Sequence, residues 1–153
     1  MNRSRKKNRL ADYDYSQEGL YFLTICTKNS SCILWEDETK NETDYRLSQI
    51  GEIVEVKIEE IANIYKGVTV EIYAIMPNHI HLIIGVATPE IISVSRVVKQ
   101  FKGSVSKSAG MGIWQRSFHD RVIRSEREHQ LIWQYIDENP AMWNSDEYYR
   151  TSW

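Results

Sequence analysis

Residues 68–86, VTVEIYAIMPNHIHLIIGV, constrain the fold of this chain more than any other stretch. VTVEIYAI alternates, HIHLIIGV alternates after it, and Met76-Pro77-Asn78 between them supplies turn chemistry: proline at the first bend position, asparagine tolerant of the next. Two such runs predict a hairpin. Upstream, GLYFLTICTKN is rich in β-formers and reads as a first strand, with CILWE as a candidate return. YRLSQIGEIVEVKIEEIANIY places Leu47, Ile50, Val54, Ile58, Ile61 and Tyr65 at steps of three and four, an amphipathic helix with its glutamates outward. Downstream, SVSRVVKQFKGSVSK carries a stripe of Val94, Val97, Val98, Phe101 and Val105 behind Ser93 as N-cap. GMGIWQ reads as a loop and SFHDRVIR as a further strand. SEREHQLIWQYIDENP opens with Ser125 and Glu128 at capping-box spacing and is stopped by Pro140. The order β-α-β-β-α-β plus a last helix predicts an α+β fold: a ferredoxin-like antiparallel sheet with helices packed on one face, followed by a C-terminal helix.

The 153 residues fit one domain, 1–153, with a basic N-terminal arm at 1–12 and a short tail at 144–153. A domain of that size buries about 70% of the surface its unfolded chain exposes, so its core needs no staples. No run reaches about 18 apolar residues, which excludes a membrane helix. The start, MNRSRKKNRL, has no apolar stretch behind it and does not read as a signal peptide, so the expected location is the cytoplasm. Cys26 and Cys32 lie in no metal spacing and read as reduced and structural. The net charge of −2 hides a segregation. Arg3, Arg5, Lys6, Lys7 and Arg9 sit in the first ten residues with no acid, while the acids concentrate in EDETKNETD and GEIVEVKIEEI. From Arg96 to Arg124 the chain also carries Lys99, Lys102, Lys107, Arg116 and Arg121 against Asp120 alone. Such asymmetry suits a protein that holds a polyanion on one face, and equally suits solvated helix faces.

Two histidines stand inside the second run of the hairpin. Side chains alternate along a strand, so His79 and His81 point the same way and Ile80 the other, a spacing that can grip one ion. On the last helix Tyr135 and Asn139 are four apart and share a face beside the stripe of Leu131, Ile132 and Ile136. If that face meets the histidines, the ion gains an amide oxygen from Asn139 and a phenol close by. Taken singly, Tyr135 reads as a core tyrosine and Asn139 as a helix C-terminal residue before proline.

Taken in order, MPNHIHLII, WQRSFHDRVIR and YIDENP, together with the first strand YFLTICTKN, resemble the single-tyrosine HUH transposases, and most closely the group associated with insertion sequences and repetitive extragenic palindromes. The resemblance runs from about Tyr21 to Trp143. It implies that His79 and His81 bind a divalent cation, that Asn139 fills the third-ligand place, and that Tyr135 is the nucleophile. It implies a fold that matches the order of elements above, an enzyme that cuts and rejoins single-stranded DNA beside hairpins, and a homodimer. Magnesium or manganese suits the phosphoryl-transfer role, nitrogen ligands lean toward manganese, and zinc stays open. A tyrosine ester would conserve the energy of the broken bond as a 5′-phosphotyrosine, which a 3′-hydroxyl can reverse without ATP. Arg96, Lys99, Lys102, Lys107, Arg116, Arg121 and Arg124 are candidates for phosphate contacts. Trp114, Phe118 and His119 are candidates to stack on unpaired bases, with core packing the competing role for the first two. His129, one turn before Trp133, reads as a surface residue. Two rivals stand beside the transposase: a hairpin-binding or regulatory module without catalysis, and a metal-dependent hydrolase in which Tyr135 is structural.

Overall fold

The protein is described by a computed structural model that covers residues 19–36, 45–87 and 92–145. The basic arm, the acidic segment 37–44 and the tail from 146 onward, with Tyr148 and Tyr149, lie outside the described residues. Four strands form one sheet: β1 (Gly19–Cys26), β2 (Val68–Ile75), β3 (His79–Val86) and β4 (His119–Val122), in the order β2-β3-β1-β4. Every neighbouring pair is antiparallel. Helices α1 (Gln49–Ile64) and α2 (Val94–Ala109) supply the two crossovers, and α3 (Glu126–Glu138) follows β4. This is the ferredoxin-like plan that the sequence order predicts, with the hairpin closed by a 2.8 Å bond from the Met76 N–H to the His79 carbonyl.

β3 is buried on both sides, β2 and β1 largely so, and the edge strand β4 is exposed; strand parity decides what each side meets. Leu23, Ile25, Tyr73, Ile75, Ile80, Leu82 and Ile84 turn to the layer of α1 and α2, where Val54, Ile58, Ile61, Val97, Val98, Phe101 and Val105 complete the main core. Leu20, Ile72, Ala74 and Ile83 turn the other way and are covered by Ile123, Trp133 and Ile136. Hence α1 and α2 share one face, and among the described residues α3 and the segment after it lie on the opposite one. Burial of a large apolar side chain contributes about 1.5–3 kcal/mol, so Trp133 and Ile136 are a substantial anchor for that helix.

The helix starts follow the local signals. Ser48 accepts from the Gly51 N–H, Ser93 from Arg96 and Ser125 from Glu128, at 3.0, 3.1 and 3.1 Å. Gly51 allows α1 to pass the chain before it, because a Cβ there would stand 2.1 Å from the Leu34 carbonyl oxygen. At α3 the reciprocal half of the capping box shifts by one residue: Glu128 accepts from the Arg124 N–H at 2.9 Å rather than from Ser125, and it also pairs with Arg121. The backbone bond from Arg124, ahead of the Arg121 charge, holds the Glu128 carboxyl below its ordinary range. A lowered carboxyl contributes stability above 4.5, its ordinary value, and loses it as pH falls through the folded value. Pro140 ends α3, yet the chain continues as a 3-10 segment, Asn139–Ser145.

Two expectations are corrected. CILWE forms no strand of the sheet; Leu34 N–H bonds the Pro77 carbonyl, and Glu36 N–H bonds the Arg46 carbonyl in an isolated antiparallel bridge between Trp35 and Leu47. Leu34 and Trp35 are both buried, Leu34 in the main core and Trp35 in a separate cluster with Met76 and Trp143, so no solvent face is left to give an alternation. His129 is not a surface residue. It is fully buried, with Nε2 3.0 Å from the buried carboxylate of Glu71. Glu71 is the extra residue of a bulge in β2, where Val70 pairs with Ile84 and Ile72 already pairs with Ile83. No helix among the described residues is long and apolar enough to cross a membrane.

Candidate active site

The face of β3 that carries Ile83 also carries His79 and His81, so both imidazoles lie under α3 and the 3-10 segment after it. Their ring centroids are 4.6 Å apart, and both side chains are buried, at 0% and 2% exposure. Each ring is oriented by a neighbour. His79 Nδ1 lies 2.8 Å from Asn78 Oδ1, and His81 Nδ1 lies 2.9 Å from Thr24 Oγ1 on the adjacent strand. An amide oxygen only accepts, so Nδ1 of His79 carries the proton and Nε2 presents its lone pair. Orientation of a ligating imidazole through its second nitrogen is the usual support for a metal site.

Tyr135, on α3, stands against this pair. Its ring centroid is 5.3 Å from that of His81, and both rings also meet Phe22, at 6.3 and 5.3 Å. The tyrosine keeps 42% of its surface exposed and lines an open cleft of about 370 Å3. That cleft is lined by Phe22, Thr24, His81, His119, Asp120, Arg121 and Tyr135.

Asn139 sits at the junction of α3 and the 3-10 segment. Tyr135, four residues before it, lies on His81, and Trp143, four residues after it, lies 6.2 Å from His79. Asn139 is thereby held between the two contacts that bracket the imidazole pair. It is 2% exposed, and its Oδ1 has no hydrogen-bond partner among the described residues. A buried amide oxygen left in that state costs about 1–3 kcal/mol unless a cation or donor completes it. Two imidazoles and one amide oxygen are donors of the kind a divalent ion takes. Among the described residues no group of three His, Cys, Asp or Glu side chains is placed to hold a metal.

The DNA-contact candidates divide between the two sides of the sheet, a separation that sequence alone does not give. Arg96, Lys99 and Lys107 are exposed on α2, on the side away from the histidines. Lys99, Lys102, Trp114 and Arg116 line a second cleft of about 460 Å3 between α2 and the loop before β4, with Phe118 half-buried beside them. Lys102 is not a loose surface charge: its ammonium donates to the carbonyls of Gln115 and Arg116 at 2.7 and 3.2 Å, and burial pulls its pKa down. Trp114 is 7% exposed and packs on Phe101, so its ring is mainly core. His119 and Arg121 line the tyrosine cleft, and Arg124 is exposed just before α3. Sequence reasoning missed Thr24 and Asn78 as supports of the imidazoles; Asn78, next to His79, was legible only as a turn residue.

Comparison with known proteins gives one family. The model of IS200-like transposases matches residues 18–139. An uncharacterised protein of Haemophilus influenzae is 28% identical over an alignment of 172 positions, covering 95% of this chain and 93% of the relative. A candidate REP-associated tyrosine transposase of the same organism is 29% identical over 150 positions, covering 84% of this chain and 73% of the relative. Among solved structures, a REP-associated tyrosine transposase bound to a REP hairpin superposes with a TM-score of 0.62 at 18% identity, over 92% of this chain and 73% of that one. A candidate transposase from Deinococcus radiodurans superposes with a TM-score of 0.54 at 23% identity, over 90% and 97%.

Proposed function

This chain belongs to the IS200-like transposase family, and from that membership we propose that it cuts and rejoins single-stranded DNA beside hairpins, with Tyr135 as the nucleophile. The observation that carries the reading is the placement of the Tyr135 ring 5.3 Å from His81, on the sheet face that His79 shares. The hairpin is proposed as the DNA partner because a structural neighbour with the same fold is bound to one. A homodimer is proposed from the same family.

His79, His81 and the Oδ1 of Asn139 would hold a divalent ion, manganese or magnesium, whose chemistry is to withdraw charge from a nonbridging phosphate oxygen and fix it for in-line attack. The chain does the rest. Asn78 and Thr24 keep the imidazoles in register. The partial exposure of Tyr135 lets a DNA strand reach its hydroxyl, while the Phe22 and His81 rings limit where that hydroxyl can go. The phenol must lose its proton as it attacks, since its ordinary pKa is about 10. The bond from phosphorus to the 3′-oxygen breaks, the bond to the tyrosine oxygen forms, and the 3′-hydroxyl retained nearby can reverse the step.

The test is to incubate hairpin-bearing single-stranded DNA with manganese and to look for a covalent protein–DNA band on a denaturing gel. Binding without cleavage would instead assign a hairpin-binding module. A finer expectation concerns Thr24→Val, which keeps the shape of the side chain and removes the hydroxyl beside His81. Loss of such a supporting group costs about 10- to 100-fold in metal affinity or activity. Titration with manganese should show that loss, beside a fall in stability of about 1–3 kcal/mol from the His81 Nδ1 left without its partner; an unaltered affinity would dismiss Thr24 as a support.

A further inference from the structure

Across the sheet, Thr24 of β1 pairs with His81 on one side and His119 of β4 on the other. Directly opposed residues share a face, so His81, Thr24 and His119 form one row that runs from β3, which α3 covers, out to the exposed edge strand β4. Strands stand about 4.8 Å apart, which puts the backbone of His119 about 10 Å from that of His81. Tyr135 lies over the His81 end of the row, and the same cleft is open at the His119 end. A phosphodiester bound between them would have Tyr135 on one side of phosphorus and His119 on the other. In-line displacement expels its leaving oxygen away from the nucleophile.

We propose that His119 is a further catalytic residue: its imidazolium protonates the departing 3′-oxygen during cleavage, and the neutral imidazole takes that proton back from the 3′-hydroxyl during rejoining. The inference rests on the reading of Tyr135 as nucleophile. The balance is complete: the phosphorus bond passes from the 3′-oxygen to the tyrosine oxygen, the phenolic proton leaves to water through the open cleft, and the 3′-oxygen receives the proton of His119. The other groups facing the cleft do not suit the role. Arg121 does not release protons near neutrality and is already paired with Glu128. Asp120 is opposite Leu23, so its side chain belongs to the other face of the strand. His81 is committed through Nδ1 to Thr24 and lies under the nucleophile. Thr24 and Phe22 do not titrate.

The experiment compares wild type and His119→Gln on two hairpin substrates, one with the natural 3′-oxygen and one with sulfur bridging at that position. A thiolate leaves without a proton, so it needs no acid. With oxygen, His119→Gln should slow single-turnover cleavage about 10²- to 10⁴-fold, the usual contribution of general acid catalysis. With sulfur, it should cleave at close to the wild-type rate. Equal loss on both substrates would make His119 a DNA contact or a structural residue, and no loss on either would discard it; both results overturn the proposal while leaving Tyr135 in place. Absence of any wild-type adduct on either substrate would overturn the nucleophile reading and this inference with it.

Discussion

Tyr135→Phe abolishes the covalent adduct and lowers cleavage on the order of 10⁴- to 10⁶-fold, the scale seen when a nucleophile is removed from an otherwise intact site. The substitution removes one oxygen and keeps the ring. Contacts of that ring with Phe22 and His81 persist, and the side chain is already 42% exposed, so little folding energy depends on the hydroxyl. Hairpin affinity and melting temperature should therefore match wild type. An adduct that persists in the variant would move the nucleophile to another tyrosine, with Tyr148 and Tyr149 the first to examine. Strand cleavage that continues with no adduct would make water the nucleophile and the protein a hydrolase.

His79→Ala and His81→Ala each weaken manganese binding by more than about 100-fold, beyond the cost of losing a supporting group, and abolish cleavage. Both rings are buried, so each variant also leaves a cavity and removes the partner of Asn78 Oδ1 or Thr24 Oγ1. A loss of about 1–3 kcal/mol in stability is expected from the orphaned polar atom. Hairpin binding, measured without metal and well below the melting transition, separates the two effects. It should be largely spared. Equal loss of hairpin binding and metal binding would mark the histidines as structural.

Much of this architecture was legible in the sequence because its signals are local. The alternation on either side of Met76-Pro77-Asn78, the stripes of α1 and α2, and Ser93 and Ser125 at helix starts each depend on residues within one or two turns. The common orientation of His79 and His81 follows from parity in the same way. What parity cannot supply is the identity of the layer on that side. That depends on Trp133 and Ile136 finding Leu20, Ile72 and Ile83, contacts between residues up to more than a hundred positions apart. The buried His129 was misread for the same reason. Its stripe with Trp133 and Ile136 is visible at steps of four and three, but its partner Glu71 looks like an ordinary polar position of a half-exposed strand. Lys102 reads as a surface cation until the loop that wraps its ammonium is seen.

The extra residue in β2 gives that edge strand an unusual tolerance to shortening. Val68 and Val70 on one side of Glu71, and Tyr73 and Ile75 on the other, reach the same layer only because the chain makes an additional step between them. Excising Glu71 leaves VTVIYAI, an unbroken alternation that delivers all four to their present neighbours, whereas excising Thr69 or Ala74 would send part of the strand's apolar set to the wrong side. A chain one residue shorter would thus retain its sheet while giving up the carboxylate that clasps the tyrosine-bearing helix. Scaffold integrity and seating of the reactive element are, at this one position, separable by a single codon.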